Sequence, residues 1–442
     1  MTSRATRGPA PPRLAPGAPG EPVPGGVGTV TEPIPPNAPA QASRIRQTFV
    51  ALGERDFRIF WLGQLVSVTG TWMQTVAQGW LVLTLSGSPF VLGLAAAVRS
   101  LPVLVLALPA GYVADRFDRR VIVLCTTTAA TIASGALGVL TIANAVDINT
   151  VLVLAAVLGI TNAFEMPARQ SYVSELVRKR NLANAIALNS LLFNSARVVG
   201  PAIAGILVAL VGPGWAFLVN SLSYLAVIAG LVMISRAHIP RVGVAARSAV
   251  PEVLAYLRSE PRVTMLLGLL AAQTIFASGP FILAPSLAQD LGQGPEGLGV
   301  LLAASGAGAV VGGLRLAATA GRSSRWHILA AAGIALAVGL AGIGIASSYP
   351  ITLLCFVIAG WGTVTFNASS NTLLQTITPD RLRGRVMSLY TVSLLGLMPF
   401  GGLLLGSLAD RTSSALAVAL GGVAYGVIIA FAFVFSRALR RL

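Results

Sequence analysis

Gly111-Tyr112-Val113-Ala114-Asp115-Arg116-Phe117-Asp118-Arg119-Arg120 packs five charges between two apolar runs, near 90–114 and 120–143. Such a knot cannot rest in hydrocarbon. The flanking runs have the length, about 20 residues, that a bilayer core of roughly 30 Å asks of a helix. The decapeptide therefore reads as a loop between two membrane spans. The same alternation recurs along the chain, with apolar runs near 56–83, 149–172, 184–210 and 214–235, and again near 262–288, 296–318, 326–346, 350–376, 385–408 and 414–436. The expected fold is an all-α integral membrane protein, with twelve transmembrane helices in two six-helix bundles related as a repeat.

Composition agrees. Of 442 residues, 55% are hydrophobic and 10% charged, and mean hydropathy is +0.78. Soluble domains carry roughly 25% charged residues. The net charge of +16 does not point to nucleic acid, because the basic residues form short clusters between apolar runs. Cys125 and Cys355 lie far apart in apolar runs, which offers neither metal spacing nor a disulfide framework. No cofactor motif and no catalytic constellation is seen, so an enzyme is not expected.

Residues 1–48, rich in Pro, Gly and Ala, are expected to be a disordered tail without the apolar stretch of a cleavable signal peptide. Two bundles, 49–235 and 262–436, flank a polar linker, 236–261, and a short tail, 437–442, follows. Within the linker, Val253, Leu254 and Leu257 share one face of a short interfacial helix. Positive-inside orientation puts both tails and the linker in the cytoplasm of a bacterial cell with an inner-membrane location. In that frame Arg116, Arg119 and Arg120; Arg169, Arg178, Lys179 and Arg180; Arg236, Arg241, Arg247, Arg258 and Arg262; Arg315, Arg322 and Arg325; and Arg381, Arg383 and Arg385 all lie on the cytoplasmic side. With the two tails they bring about 28 of the 31 basic residues inside. Arg411 falls outside, and Arg99 and Arg197 fall within spans.

Arg180–Leu188 and Asp380–Ser388 align without a gap, each opening the fifth helix of its half, and each is followed by a Gly/Pro segment. The opening decapeptide resembles the G-x-x-x-D-R-x-G-R-R loop of the major facilitator superfamily, with Asp118 in place of the second Gly. Ala187, Ala196, Gly200, Pro201, Ala204 and Gly205 stand where proton-coupled exporters of that family carry a glycine-rich fifth helix. Glu165-Met-Pro-Ala-Arg169, Asn184–Leu191 and Arg197–Pro201 resemble the branch that includes the enterobactin exporter, which usually has Asp in place of Glu165. The resemblance implies alternating access, export of a small amphipathic molecule such as a siderophore, metabolite or drug, and exchange for protons. A proton-coupled importer, a lipid flippase or a non-transporting receptor on the same scaffold stay open. A monomer in the bilayer, without nucleic-acid partners, is expected.

The same resemblance makes Gly111, Asp115, Arg116, Arg119 and Arg120 a gate on the cytoplasmic face, closing onto the helix that begins near Arg383. Glu165, Arg169 and Asn162 share one helical face. Glu165, the one carboxylate deep in a span, is expected to carry the coupled proton or to brace the gate through Arg119. Arg197 is expected to be a counter-charge to Glu165 or to an anionic substrate, or else a packing residue bonded to carbonyls. Gln64, Ser67, Thr71, Gln74 and Gln78 recur at spacings of three and four and form a polar stripe on the first helix. With Gln273 and Thr274, and Thr363, Asn367 and Asn371, the stripe is expected to line the central cavity or to bond helices together. Trp72, Phe164, Phe276 and Trp361 are candidate apolar walls. Gly299, Ala303, Gly306, Gly308, Gly312 and Gly313 make the eighth helix a small-residue surface that the fifth, with Gly200, Pro201 and Gly205, should cross.

Overall fold

A computed structural model describes residues 49–234, 250–318 and 325–435. The expected tails, linker residues 236–249 and the basic residues Arg236, Arg241, Arg247, Arg322, Arg437, Arg440 and Arg441 lie outside the described residues.

The first half consists of α1 (Arg55–Ser86), α2 (Pro89–Arg116), α3 (Arg119–Ile142), α4 (Ile148–Glu175), α5 (Leu182–Val211) and α6 (Pro213–Met233). The linker contributes α7 (Val250–Ser259). In the second half are α8 (Pro261–Phe276), the short α9 (Gly279–Ile282) and α10 (Ala284–Asp290), α11 (Pro295–Ala318), α12 (Arg325–Ile345), α13 (Tyr349–Ile377), α14 (Asp380–Thr391), α15 (Met398–Arg411) and α16 (Ser414–Phe435). Local chemistry sets the ends. Proline opens α2, α6 and α8, where its missing N–H costs no helical bond. Gly87 stops α1 in the left-handed region at φ 64°. Asp118 caps α3 by accepting from the Arg120 N–H at 2.9 Å, which gives the residue that departs from the family loop a structural use.

Among the described residues, eleven helical stretches are long and apolar enough to cross a membrane. The remaining expected span, α1, has 32 residues, but its polar stripe keeps it below the apolarity of the others. Two expected continuous spans are interrupted. The seventh breaks into α8, α9 and α10, and the eleventh carries a π-turn at Val392–Gly396 between α14 and α15. Pro280, Pro285 and Pro399 mark the restarts, since proline cannot donate to the preceding turn.

The two halves repeat one packing scheme. In the first, α1 packs on α5 and α6, α3 on α4 and α6, and α2 on α4. In the second, α8 packs on α15 and α16, α12 on α13 and α16, and α11 on α13. Two seams join the halves, α5 against α11 and α2 against α15, and the repeat exchanges one seam with the other.

Candidate functional site

The two ends of the bundle differ in charge. One end carries Arg116, Arg119, Arg120, Arg178, Lys179, Arg180, Arg258, Arg381, Arg383 and Arg385, and is called the basic end. The opposite, acidic end carries Asp147, Asp290, Glu296 and Asp410, with Arg411 the one basic residue there among the described residues.

The halves meet at the acidic end. On one seam a Cβ at Gly205 would stand 2.9 Å from the Gly299 Cα and 2.9 Å from the Pro295 carbonyl oxygen. On the other, Gly93 lies against the Gly402 backbone, and Ser88 Oγ donates to Asp410 at 2.6 Å. Met73, Val76 and Ala204 of the first half are part of the second half's buried cluster. These close approaches extend to Gly306 against the Arg197 carbonyl, 3.0 Å, and to Gly396 against Leu104, 2.8 Å. Toward the basic end the clusters separate. Phe57, Phe60, Ala114, Val123, Ala168 and Tyr172 belong to a core built of first-half residues alone. A Cβ at Gly111, Gly313 or Gly384, toward the basic end, would meet nothing within 4 Å, so the halves part there, and Arg197 lies at the level where the close approaches stop.

Glu165 and Arg169 form an ion pair at 3.1 Å, with side chains 15% and 16% exposed. Their i,i+4 spacing on α4 places the carboxylate under the guanidinium. Arg169 also lies over the Phe193 ring, 4.8 Å from its centre. Asn162, on the same face, is exposed. Arg197 is half-buried, with its guanidinium 5.7 Å from the centre of the Trp72 ring. Trp72 is held by Gly200, where a Cβ would come within 2.5 Å, and meets Phe281 edge-on across the halves, at 5.8 Å and 85°.

The loop residues stand apart from the second half. Asp115 is exposed, and a Cβ at Gly111 would meet nothing within 4 Å. Arg116 donates to the Tyr112 hydroxyl at 2.9 Å, and Arg120 to the Val232 carbonyl at 3.4 Å. Arg119 pairs with Glu175, not with Glu165. The brace reading of Glu165 had assigned it that partner. Glu175 supplies it from the last turn of α4, ten residues nearer the basic end. Arg383, the expected landing point, pairs with Asp380 at 2.6 Å.

The α1 stripe turns into the first half. Gln74 Oε1 accepts from Ser134 Oγ at 2.7 Å and from Asn220 Nδ2, and Gln78 Oε1 accepts from Arg99 at 3.2 Å. Thr71 shares a hydrogen bond with the Tyr224 hydroxyl at 3.2 Å. Gln64 and Ser67 are also buried. In this conformation the stripe bonds α1 to α2, α3 and α6. In the second half, Gln273 Oε1 and Asn367 Oδ1 are buried without a hydrogen-bond partner, and Asn371 Oδ1 accepts from Gln375. Gly308 and Gly312 pack on α13, so only part of the α11 small-residue surface, Gly299 and Gly306, meets α5.

Two features were not foreseen. Glu252 of α7 is clamped by Arg381 at 2.7 Å and Arg385 at 2.8 Å, tying the linker helix to the start of the eleventh span. Apolar grooves of about 860 Å³ between α7, α8 and α16, and about 500 Å³ between α1 and α6, lie on the outer faces, away from the parting.

Residues 46–442 match the family model described as transmembrane secretion effector. The staphyloferrin A transporter of Staphylococcus aureus is 24% identical over 80% of this chain and 89% of its own. The multidrug efflux pump Tap of Mycolicibacterium fortuitum is 29% identical over 83% and 93%, and the enterobactin exporter EntS of Shigella flexneri 26% over 87% and 93%. The nucleoside transporter NupG superposes with a TM-score of 0.70 at 11% identity, over 88% of this chain and all, 100%, of its own. A bacterial homolog of the lysosomal transporter Spinster, in an inward-facing, unoccupied conformation, gives 0.66 at 16% over 87% and 95%. These relatives and this fold are those of transporters, not enzymes. The chain is a multi-pass bacterial membrane protein that belongs to the transmembrane secretion effector family of major facilitator transporters.

Proposed function

We propose that the protein exports a small amphipathic molecule from the cytoplasm by alternating access, in exchange for protons, and works as a monomer. The basic end then faces the cytoplasm with both termini, following the positive-inside rule. The observation that carries the reading is the Glu165–Arg169 pair. Among the described residues Glu165 is the one carboxylate deep within a span, the others lying at span ends, and its side chain is 15% exposed. A coupled carboxylate must change environment between the two states: burial favours its acid, and water or a nearby guanidinium its anion. Gly111, Asp115, Arg116, Arg119 and Arg120 act in the opposite state, when the basic end shuts and Asp115 reaches the start of α14. The relatives named as an enterobactin exporter and a multidrug efflux pump support the direction of transport.

The test uses everted vesicles and a radiolabelled panel of amphipathic acids, bases and neutral compounds. At least one member should accumulate with an acid-inside gradient and be released when nigericin collapses it. Accumulation unaffected by nigericin would remove proton coupling, and no accumulation by any member would remove export.

A further inference from the structure

We propose that the exported molecule carries an anionic group, and that Arg197 receives it. This inference rests on the parted seam being the substrate site.

Four charged side chains occupy the middle of the spans among the described residues: Arg99, Glu165, Arg169 and Arg197. Glu165 and Arg169 neutralise each other at 3.1 Å. Arg99 is turned into the first half and tied to Gln78. Arg197 differs from the other three. Among the described residues its guanidinium has neither a carboxylate nor a hydrogen-bond acceptor, and it lies over the face of Trp72. It also stands at the level where the α5–α11 seam ends, since its own carbonyl touches the Gly306 position. Water can satisfy it only while the basic end is parted.

Alternating access requires an occluded state that closes this level from both sides. A lone guanidinium enclosed there is unfavourable unless an opposite charge arrives with the closure. Glu165 is already committed to Arg169. An anionic ligand supplies the missing charge and binds the occluded form more tightly than the open one, which is the differential affinity that drives closure. Guanidinium suits this better than ammonium, because its planar fork pairs two oxygens at once. Trp72 and Phe281, set edge to face beside it, add an aromatic wall contributed by both halves. The site therefore fits a planar or aromatic molecule bearing a carboxylate, sulfonate or similar oxyanion. A neutral or cationic cargo leaves Arg197 unpaired.

Naphthalene-2-sulfonate and its uncharged sulfonamide are suitable probes, because they share the ring and differ in charge. Binding to the purified full chain in detergent is read by calorimetry. The sulfonate should bind at least tenfold more tightly than the sulfonamide. Arg197→Gln should erase that preference, Arg197→Lys should keep part of it, and Arg99→Gln should keep all of it. Equal binding of the two probes by wild type, no binding of either, or a preference that survives Arg197→Gln overturns the inference. The wild-type comparison needs no variant, so misfolding of a substituted protein does not blunt it. Nigericin-sensitive accumulation of panel compounds without preference for acids would sink the anion site and leave export standing. Anion-selective binding without accumulation of any panel member would do the reverse.

Discussion

At the acidic end the halves touch backbone to backbone, Gly205 on Gly299 and Gly93 on Gly402. At the basic end no ion pair joins the two halves among the described residues: Arg119 pairs with Glu175 inside the first, and Arg381 and Arg385 of the second pair with Glu252 of the linker helix. Small residues let helices approach without any directional bond, so a seam of this kind is shaped by sterics. Charged side chains can exchange partners when surfaces meet. The contrast teaches that the two ends are built for different events, close contact at one and exchange of ion pairs at the other. The polar residues that could sense a ligand or a proton lie between them.

The largest expected effect comes from the boundary itself. Glu165→Gln mimics the protonated acid and cannot release its proton, so gradient-driven accumulation should vanish while equilibrium binding survives. Glu165→Asp should retain coupling. Gradient-driven accumulation near the wild-type rate in Glu165→Gln would exclude Glu165 as the carrier and leave Asp56, at the basic edge of α1, as the next candidate.

Matched substitutions at glycines of the two ends come next. Gly93→Val drives a side chain into the Gly402 backbone, and overpacking of this kind costs about 1–3 kcal/mol. Its Tm in detergent should fall by several degrees and transport should drop with it. Gly111→Val meets open space in this conformation and should leave Tm unchanged, yet lower transport if the basic end must close. Equal Tm losses in the two variants would erase the contrast.

Smaller effects attach to the loop. The Arg119–Glu175 pair is about a quarter exposed on each side, and such pairs contribute about 0–1 kcal/mol. Arg119→Ala and Asp115→Asn should therefore barely move Tm. Each should still cut transport roughly tenfold, equivalent to about 1.4 kcal/mol of bias toward the parted state. Cysteine accessibility at Asn162, rising in these variants, reads that bias directly. Unchanged accessibility together with unchanged transport would remove the gate assignment.

The smallest effect lies at the acidic end. Asp147 caps α4, and hydrogen bonds from the Thr150 side chain and N–H hold its carboxyl below the usual carboxylate range. A depressed folded value stabilises above the unfolded pKa of about 3.9 and is lost as pH falls through the folded one. The Tm difference between wild type and Asp147→Ala should be small and constant from about pH 8 to 5, and shrink below about pH 4. A difference that grows on acidification would reverse the sign argued here.

Much of the fold was legible because hydrocarbon leaves a coarse signal. Span ends fall within a few residues of the expected ones, and the shared face of Glu165 and Arg169 followed from spacing, although their ion pair did not. What was hidden depends on which neighbour a face meets. The spacing of Gln74 and Gln78 shows that they share a face, but Ser134, Asn220 and Arg99 are the partners that turn it inward. Glu175 lies 56 residues from Arg119 in sequence, and only the packing of α3 on α4 brings the two together. The clamp on Glu252 joins residues more than a hundred positions apart. The breaks near Ala277 and Val392 fall inside segments long enough to be read as single spans, although Pro280 and Pro399 stand beside them.

Alternation between the two ends is tested most directly by two distances measured in one preparation. With Cys125 and Cys355 replaced by Ser, one sample carries spin labels at Phe117→Cys and Gly384→Cys, and a second carries them at Leu85→Cys and Arg411→Cys, exposed positions beside the contacts that must form and break. In nanodiscs taken from pH 8 to pH 5, and then given naphthalene-2-sulfonate, the account predicts opposite movements. The 117–384 distances should shorten as the 85–411 distances lengthen. Distances that stay fixed at both ends, or that change in the same direction, would contradict it.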